Sequence, residues 1–571
     1  MPAGAPNRRR RIAVIVGTAA VAVALVLVMT PLSTSIGPTG RHVDCGSALT
    51  VWSGPDARAQ LAGLERLRPA PGSRPAPTPG QADAFLRLLD DAAATPGCRH
   101  DAAVRLTVAG TLVFLGVSAV LLSMLFAPGS PGAARRRQVR FGVGLGLIAF
   151  VALSVRVAFV LVYAEYQALG FDAFYFNLGF RPFEQGAALF PPAFNALLGV
   201  ASWVGMRSRF WHHFVNCGIG TVTVVLLGLL GRRFGGQVLG LLVAALAAVY
   251  PMLFGADATL MSESLYLALV VTALLLALRA RERPTPARFA LLGLGIALAS
   301  ATRGEGLLLV PLLALPLVVG MRDEPAVRRL ALLGSTVLVV VVVLAPWAIR
   351  NYVVFDEPVL LSNNSSTVLA GANCDGTYAG EHRGFWLVEC LEGRYRKAEQ
   401  AGTDFDEVTA NNRARDAGIR YARAHAGELP ALAGVRALRT WGIYSPVGQM
   451  HFETDIEQRS FSWQFLGWMM LLALLPLSVI GARQLRRKRI AVWPLLSLAV
   501  LVTVTSALTY GNGRFRMAAE PALLVLGGAG LLELAHRIRG SRRRGRTPGV
   551  KQGTVASTPI PTAAGSTGSS V

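Results

Sequence analysis

Lysine is almost missing from this 571-residue chain, standing only at Lys397, Lys488 and Lys551. Charged residues of all kinds reach just 16%, well under the share an ordinary soluble domain carries. Cysteine is scarce at five, which excludes a small scaffold stapled by disulfides. Nucleotide signatures are absent too: there is no P-loop, no dinucleotide fingerprint and no nucleophile elbow. Of eight histidines only His212 and His213 are neighbours, and no His- or Asp-rich spacing matches a metal site. No metal ligands are therefore assigned, and a divalent cation is the one cofactor left open.

What the chain has instead is apolar length. Hydrophobic residues make up 53% and mean hydropathy is +0.46. Apolar runs of about 18 to 22 residues recur, long enough to cross a bilayer as helices. Helices are the expected spanning form because unpaired backbone in lipid is costly. The net charge of +23 would point to nucleic acid in a soluble protein. Here its arginines cluster between apolar runs, at Arg8–Arg11, Arg135–Arg137, Arg483 with Arg486 and Arg487, and Arg542–Arg544. That is the positive-inside pattern, and no aromatic-interleaved basic motif supports a nucleic-acid partner. Abundant Ala, Gly, Arg and Val with so little Lys fit a high-GC bacterial genome. The expected class is an all-α polytopic membrane protein, with about 12 transmembrane helices and loops facing both sides.

Candidate spans fall near 12–34, 105–126, 141–163, 190–206, 212–231, 237–254, 263–280, 288–302, 306–320, 329–347, 465–482, 491–509 and 517–535. The first is read as a retained span, since no small-residue cleavage site follows it. With the Arg-rich N-terminus inside, Asp172 and 348–464 fall outside. The basic loops 279–288 and 321–329 should both lie inside, which requires an odd number of crossings after Asp172. Four candidates stand there, so one, 190–206 or a join within 186–236, is expected not to cross.

Five segments follow: an N-terminal two-span module with an outer loop (1–140), a transmembrane core (141–347), an extracytoplasmic region (348–464), C-terminal transmembrane helices (465–540) and a disordered tail (541–571). The first outer loop holds the Pro-rich stretch RPAPGSRPAPTPG and then a short amphipathic helix at 82–93. Cys45 and Cys98 bracket that loop, and Cys374 and Cys390 lie in the large one. One disulfide per outer loop suits an oxidising exterior, with four free thiols as the alternative. Residues 411–441 read as helical.

Ionisable groups at the mouth of a helix bundle are candidates for function, and this topology brings five clusters to one side. LGFDAFYFN supplies Asp172 and Tyr175. DATLMSES supplies Asp257 and Glu263. SATRGEG supplies Arg303 and Glu305, APWAIRNYVVF supplies Arg350 and Asn351, and YGNGRFRMAAEP supplies Arg514, Arg516 and Glu520. Each has a plain alternative: a solvated boundary carboxylate, an arginine snorkelling to head groups, a structural ion pair, or a helix-N-terminal acid favoured by the dipole. Together, guanidinium groups suit phosphate oxygens, and a carboxylate beside an acceptor hydroxyl suits general-base work.

The order of these motifs, with LFPPAFNALLGVASWVG and LGLGIALASATRGEGLLLVPLLAL between them, resembles the GT-C superfamily of polytopic glycosyltransferases over residues 141–535. The resemblance is specifically to bacterial enzymes like protein O-mannosyltransferases and the aminoarabinose–lipid A transferase. The resemblance implies a GT-C-like bundle in the bacterial plasma membrane. It implies a polyprenyl-phosphate sugar donor, hexosyl or pentosyl transfer on the extracytoplasmic face, and a lipid, glycan or protein acceptor. It places the catalytic carboxylates on Asp172, as general base, and Glu263. Arg303, Arg350 and Arg516 become the donor-phosphate candidates, with Tyr175, Asn351 and Arg514 also near the site. One departure is Ala173, where protein O-mannosyltransferases carry an acidic neighbour. The other readings are a transporter or flippase of lipid-linked glycans and a non-catalytic GT-C-like scaffold.

Overall fold

A computed structural model describes residues 31–36, 41–47, 133–162, 171–177, 188–391 and 407–544. The expected spans 12–34 (but for its last residues) and 105–126, the Pro-rich linker, the 82–93 helix, Cys98 and the tail beyond 544 lie outside the described residues, as does the Cys45 side chain. One correction concerns the N-terminal module. Pro31–Ile36 and Arg41–Ser47 are antiparallel strands pairing Pro31 with Ser47 and Ile36 with Arg41, so the first expected span does not reach 34 as helix. Proline at a strand's first residue forfeits no ladder bond.

Everything else described is helical or irregular. The bundle begins with α1 (Ala133–Val162), then the short α2 (Phe171–Asn177) and α3 (Pro192–Trp203). Twelve residues make α3 about 18 Å long, short of the ~30 Å hydrocarbon core. Helix α4 (Arg209–Val249) runs 41 residues but is interrupted at Gly235 and Gly236. Gly236 has φ +80°, a conformation that only glycine adopts freely. The chain folds back there: a Cβ on Gly240 would lie 2.6 Å from the Gly228 carbonyl oxygen, and one on Gly231 would lie 3.0 Å from Val243. Both arms of α4 therefore run through the bundle, the second of them, 237–249, only one residue longer than α3.

Next come α5 (Pro251–Ala258), α6 (Glu263–Glu282) and α7 (Pro286–Thr302). The return from α7 is broken into a 3-10 turn (Gly304–Leu308), a π turn (Val310–Ala314) and α8 (Leu315–Val319). Pro311 and Pro316 each remove a backbone donor, which accounts for the irregular winding. Helix α9 (Ala326–Phe355) carries the chain to 356–460, where α10 (Asn364–Gly371), α11 (Asp375–Tyr378), α12 (Glu407–Ala424), α13 (Leu429–Thr440) and α14 (Pro446–Glu457) gather over one end of the bundle. Cys374 and Cys390 are disulfide-bonded in this layer. The bundle closes with α15 (Phe461–Arg487), α16 (Trp493–Leu508), a 3-10 turn (Gly513–Ala519) and α17 (Glu520–Arg544).

Six helices among the described residues are long and apolar enough to cross a membrane, and Pro286–Thr302, Gly304–Val319 and Trp493–Leu508 are shorter apolar segments. One continuous buried core joins α1, α4, α6, α7, α9, α15, α16 and α17. Its tightest seam is between α15 and α17, where a Cβ on Gly481 would sit 1.9 Å from the Leu526 carbonyl oxygen and one on Gly530 2.0 Å from that of Leu477. Small residues that let backbones approach are how helices associate where lipid cancels the hydrophobic gain.

Candidate active site

The starts of α2, α6, α15 and α17 and the ends of α1, α7, α9 and α16 meet at one end of the bundle. Helix α2 is fixed there by both of its faces. Phe176 packs on Phe190 and Phe194, with ring centroids 4.8 and 5.0 Å away. The His212 ring bridges Asn177 Oδ1 at 2.8 Å and Ser202 Oγ at 2.9 Å, tying α2 to α4 and α3. Asp172, in the first turn of α2, is thereby held towards the turn that precedes α17.

Arg514 is the hub. Its Nη2 donates to Asp172 Oδ2 at 2.8 Å, its Nε to Glu263 Oε1 at 2.5 Å, and its Nη1 to Glu457 Oε1. One planar guanidinium thus serves three carboxylates from α2, α6 and α14, a geometry that lysine cannot supply. Arg303, where α7 ends, donates from Nη1 to the same Glu263 oxygen at 3.0 Å and from Nε to Glu305 Oε1 at 2.6 Å. The backbone under Arg514 is also pinned. Asn512 Oδ1 accepts from the Arg514 N–H at 2.9 Å, and the Asn512 N–H donates to Thr440 Oγ1 at 3.1 Å. The outer layer therefore sets the position of the hub through the end of α13.

Beside this network lies a cavity of about 410 Å³. Asp172, Arg303, Glu305 and Arg514 form its charged wall; Ser362, Asn364 and Ser365 face them from the start of α10 and the residues before it. Phe176, Phe190, Leu308, Leu508 and Phe515 supply apolar surface, and Tyr510 adds a hydroxyl. Burial pushes the Tyr510 hydroxyl above its usual range, so it stays a neutral donor. Burial also pushes the Glu457 carboxyl up to about 7, against the pull of Arg514 and with the Asp172 charge adding to the rise.

Of the residues expected from the sequence, Asp172, Glu263, Arg303 and Arg514 come together. Arg350 and Arg516 do not join them at the cavity wall. Arg350 donates to Asn351 Oδ1 at 2.8 Å and lies over the rings of Trp347 and Phe355, 5.0 and 5.1 Å from their centroids. Asn351 in turn donates to the Val359 carbonyl at 3.0 Å, closing the turn after α9. Arg516 pairs with Glu520 at 2.9 Å, and Tyr250 donates to the same Glu520 oxygen at 3.3 Å. The physical reason is rotation: Arg514 and Arg516 are two residues apart on a 3-10 turn of three residues per turn, so they point apart. The Tyr175 side chain lies outside the described residues. Asp257 is bound to Arg156 at 2.6 Å among α1, α4 and α5, away from the cavity. Glu457 is the residue that sequence reasoning passed over. Its one signal is an acid closing a helix, at the end where the dipole disfavours negative charge. Among the described residues no group of three His, Cys, Asp or Glu side chains is placed to hold a metal ion.

These features define a membrane-integral helical protein with a buried ion network beside a mixed polar and apolar cavity. Residues 190–349 match the family model described as dolichyl-phosphate-mannose-protein mannosyltransferase, a membrane glycosyltransferase domain of the GT-C superfamily. The match agrees with the resemblance drawn from the motifs. It takes in Glu263 and Arg303, while Asp172, Glu457 and Arg514 lie outside it. No curated protein matches the chain.

Proposed function

We propose that this protein transfers a sugar from a polyprenyl-phosphate donor to an acceptor hydroxyl at the extracytoplasmic face of a bacterial plasma membrane. The observation that carries the reading is one cavity wall holding both Asp172 and the guanidinium groups of Arg303 and Arg514. Asp172 takes the proton from the acceptor hydroxyl as that oxygen attacks the anomeric carbon. The bond from that carbon to the phosphate oxygen breaks, and the lipid phosphate leaves with the bonding pair. Arg303 and Arg514 meet the charge that develops on it. The phosphate role thus moves from Arg350 and Arg516 to Arg514, with Arg303 kept. Glu263 orients both guanidinium groups. The apolar surface suits the first isoprene units, and the hydroxyl-bearing wall suits the sugar.

The orientation is supported by the opposite end of the bundle, where Arg232, Arg233, Arg279, Arg483 and Arg487 lie; positive-inside bias favours that end as the cytoplasmic one. Counting the two arms of α4, five further long helices and the three shorter apolar segments each as a pass makes ten, and the two expected spans of the N-terminal module would bring the total to about 12. A flippase of lipid-linked glycans would need a route between the two ends. The cavity is lined by residues of the site end alone, which favours transfer.

The test uses membranes containing the full chain and a labelled polyprenyl-phosphate sugar. Wild-type protein should release labelled product onto an acceptor fraction, and Asp172→Asn should lose this. Transfer by Asp172→Asn at the wild-type rate removes the general-base role. Translocation of the lipid-linked sugar without transfer replaces the reading by the transporter.

A further inference from the structure

The site holds more carboxylate than guanidinium. Asp172, Glu263, Glu305 and Glu457 face Arg303 and Arg514, while Arg459 is engaged by Glu453 at 3.4 Å. A donor phosphodiester brings a further negative charge to a wall whose guanidinium groups already pair with carboxylates, Arg514 with three and Arg303 with two. Loss of charge on one carboxylate frees Arg514 to meet it. Asp172 is needed on the cavity wall for the chemistry. Glu263 is gripped by two arginines and Glu305 by one. Glu457 stands behind Arg514, does not line the cavity, and is 8% exposed. Its Oε2 is buried without a hydrogen-bond partner, as is that of Glu263, and an unpartnered buried oxygen costs less on a neutral carboxylic acid than on a carboxylate.

We infer that Glu457 is a positioning residue that takes up a proton from solvent when the donor binds, so that Arg514 turns its charge from Glu457 to the donor phosphate. The inference rests on reading the cavity as a donor-phosphate site. The groups facing Glu457 are Arg514 and Tyr510 from around the 3-10 turn, Asp172 from α2, Glu263 from α6, and Arg459 just beyond its own helix. Its carboxyl, raised to about 7, is already near the point of protonation at neutral pH. The sign is definite: an acid form favoured by donor means tighter donor binding at low pH, weakening as pH rises through the free-site value.

The experiment is titration calorimetry of the full chain in nanodiscs with a short-chain polyprenyl-phosphate mannose. That ligand is a phosphodiester with no titration of its own near neutrality. In buffers of different ionisation heat, wild-type protein should take up close to ~1 proton per donor bound above about pH 8, and affinity should fall by up to ~10-fold per pH unit there. Glu457→Gln should bind without proton uptake, with an affinity flat in pH near the acid limit of the wild type. A merely structural role would weaken Glu457→Gln at every pH and leave the slope intact, which overturns the inference. Donor binding by wild-type protein without uptake and without pH dependence overturns it too, even where Glu457→Gln fails to accumulate, while leaving the transferase reading standing. Absence of donor binding at any pH removes both.

Discussion

At the site end of the bundle Glu263, Glu457 and Arg514 are buried and Asp172 and Arg303 nearly so, every one of them in an ion pair. At the opposite end the charged pairs stand in the open: Arg233 and Glu282 have side chains 40% and 52% exposed, and Arg483, Arg486 and Arg487 are exposed. The two ends use charge for different ends. Exposed pairs contribute little to stability but bias orientation. Buried pairs must recover a large desolvation cost, so each partner is held to a fixed geometry, and loss of one strands the others. On the proposed function, the same chemical groups orient the chain at one end and build a site at the other.

The most severe way to break this contrast is to remove the hub. Arg514→Ala leaves three carboxylates facing one another without their shared cation. It should abolish transfer and lower stability by roughly 3–5 kcal/mol, measured by thermal unfolding in detergent and by yield. Arg514→Lys should recover part of the stability and little of the activity, because an ammonium cannot fork to three oxygens.

Asp172→Asn comes next. The amide keeps the size and a hydrogen bond but accepts no proton, so activity should drop by about 10²–10⁴-fold, with the unfolding temperature falling much less than in Arg514→Ala because Glu263 and Glu457 still pair with Arg514. The split separates the roles of the two partners in one ion pair: Arg514 matters to fold and chemistry, Asp172 mainly to chemistry. A fall in stability equal to that of Arg514→Ala would make Asp172 a structural partner only.

How much of this was legible in the sequence follows from what each feature depends on. The apolar helices were legible because apolar runs record burial directly: 263–280 became Glu263–Glu282, and 491–509 became Trp493–Leu508. Parity of the basic loops points to one non-crossing segment at 190–206 or at a join within 186–236, and α3 there is a helix of 12 residues. That Asp172, Glu263, Arg303 and Arg514 share one end of the bundle was legible as well. Which way they point was not. Arg514 and Arg516 differ only by rotation on a turn whose winding is set by Asn512 and by contacts from α13. Glu457 was hidden for another reason. FETDIEQRS reads as an ordinary solvated acidic stretch, and only the docking of α14 beside α2 and the 3-10 turn removes it from water. The strand at 31–36 was missed because the apolar run before it was extended past Pro31.

Packing rather than charge holds the α15–α17 seam, which extends from mid-bundle towards the basic end. Gly481→Ala forces a methyl group to 1.9 Å from the Leu526 carbonyl oxygen, so the two helices must separate. The expected loss is about 1–3 kcal/mol of stability, read as a lower unfolding temperature, with activity per folded molecule retained. Unchanged stability would mean that the seam is looser than it stands here.

The smallest effect sharpens the comparison from the other side. Arg483 and Arg487 line a shallow cavity with Lys488 and Arg537 at the basic end, where solvent and lipid head groups already screen them. Their joint replacement, Arg483→Gln with Arg487→Gln, removes two positive charges but no buried partner. Stability should stay within about 0.5 kcal/mol, and transfer in sealed vesicles within about twofold, because neither side chain is within reach of Asp172 or Arg514. What should change is insertion: the fraction of chains with the α15–α16 turn accessible to a cytoplasmic-side label should fall, since that turn loses half of its Arg residues. Loss of transfer in correctly oriented molecules would show that the two ends are coupled through α15 and α17, and the division of charge between an orienting end and a reacting end would fail.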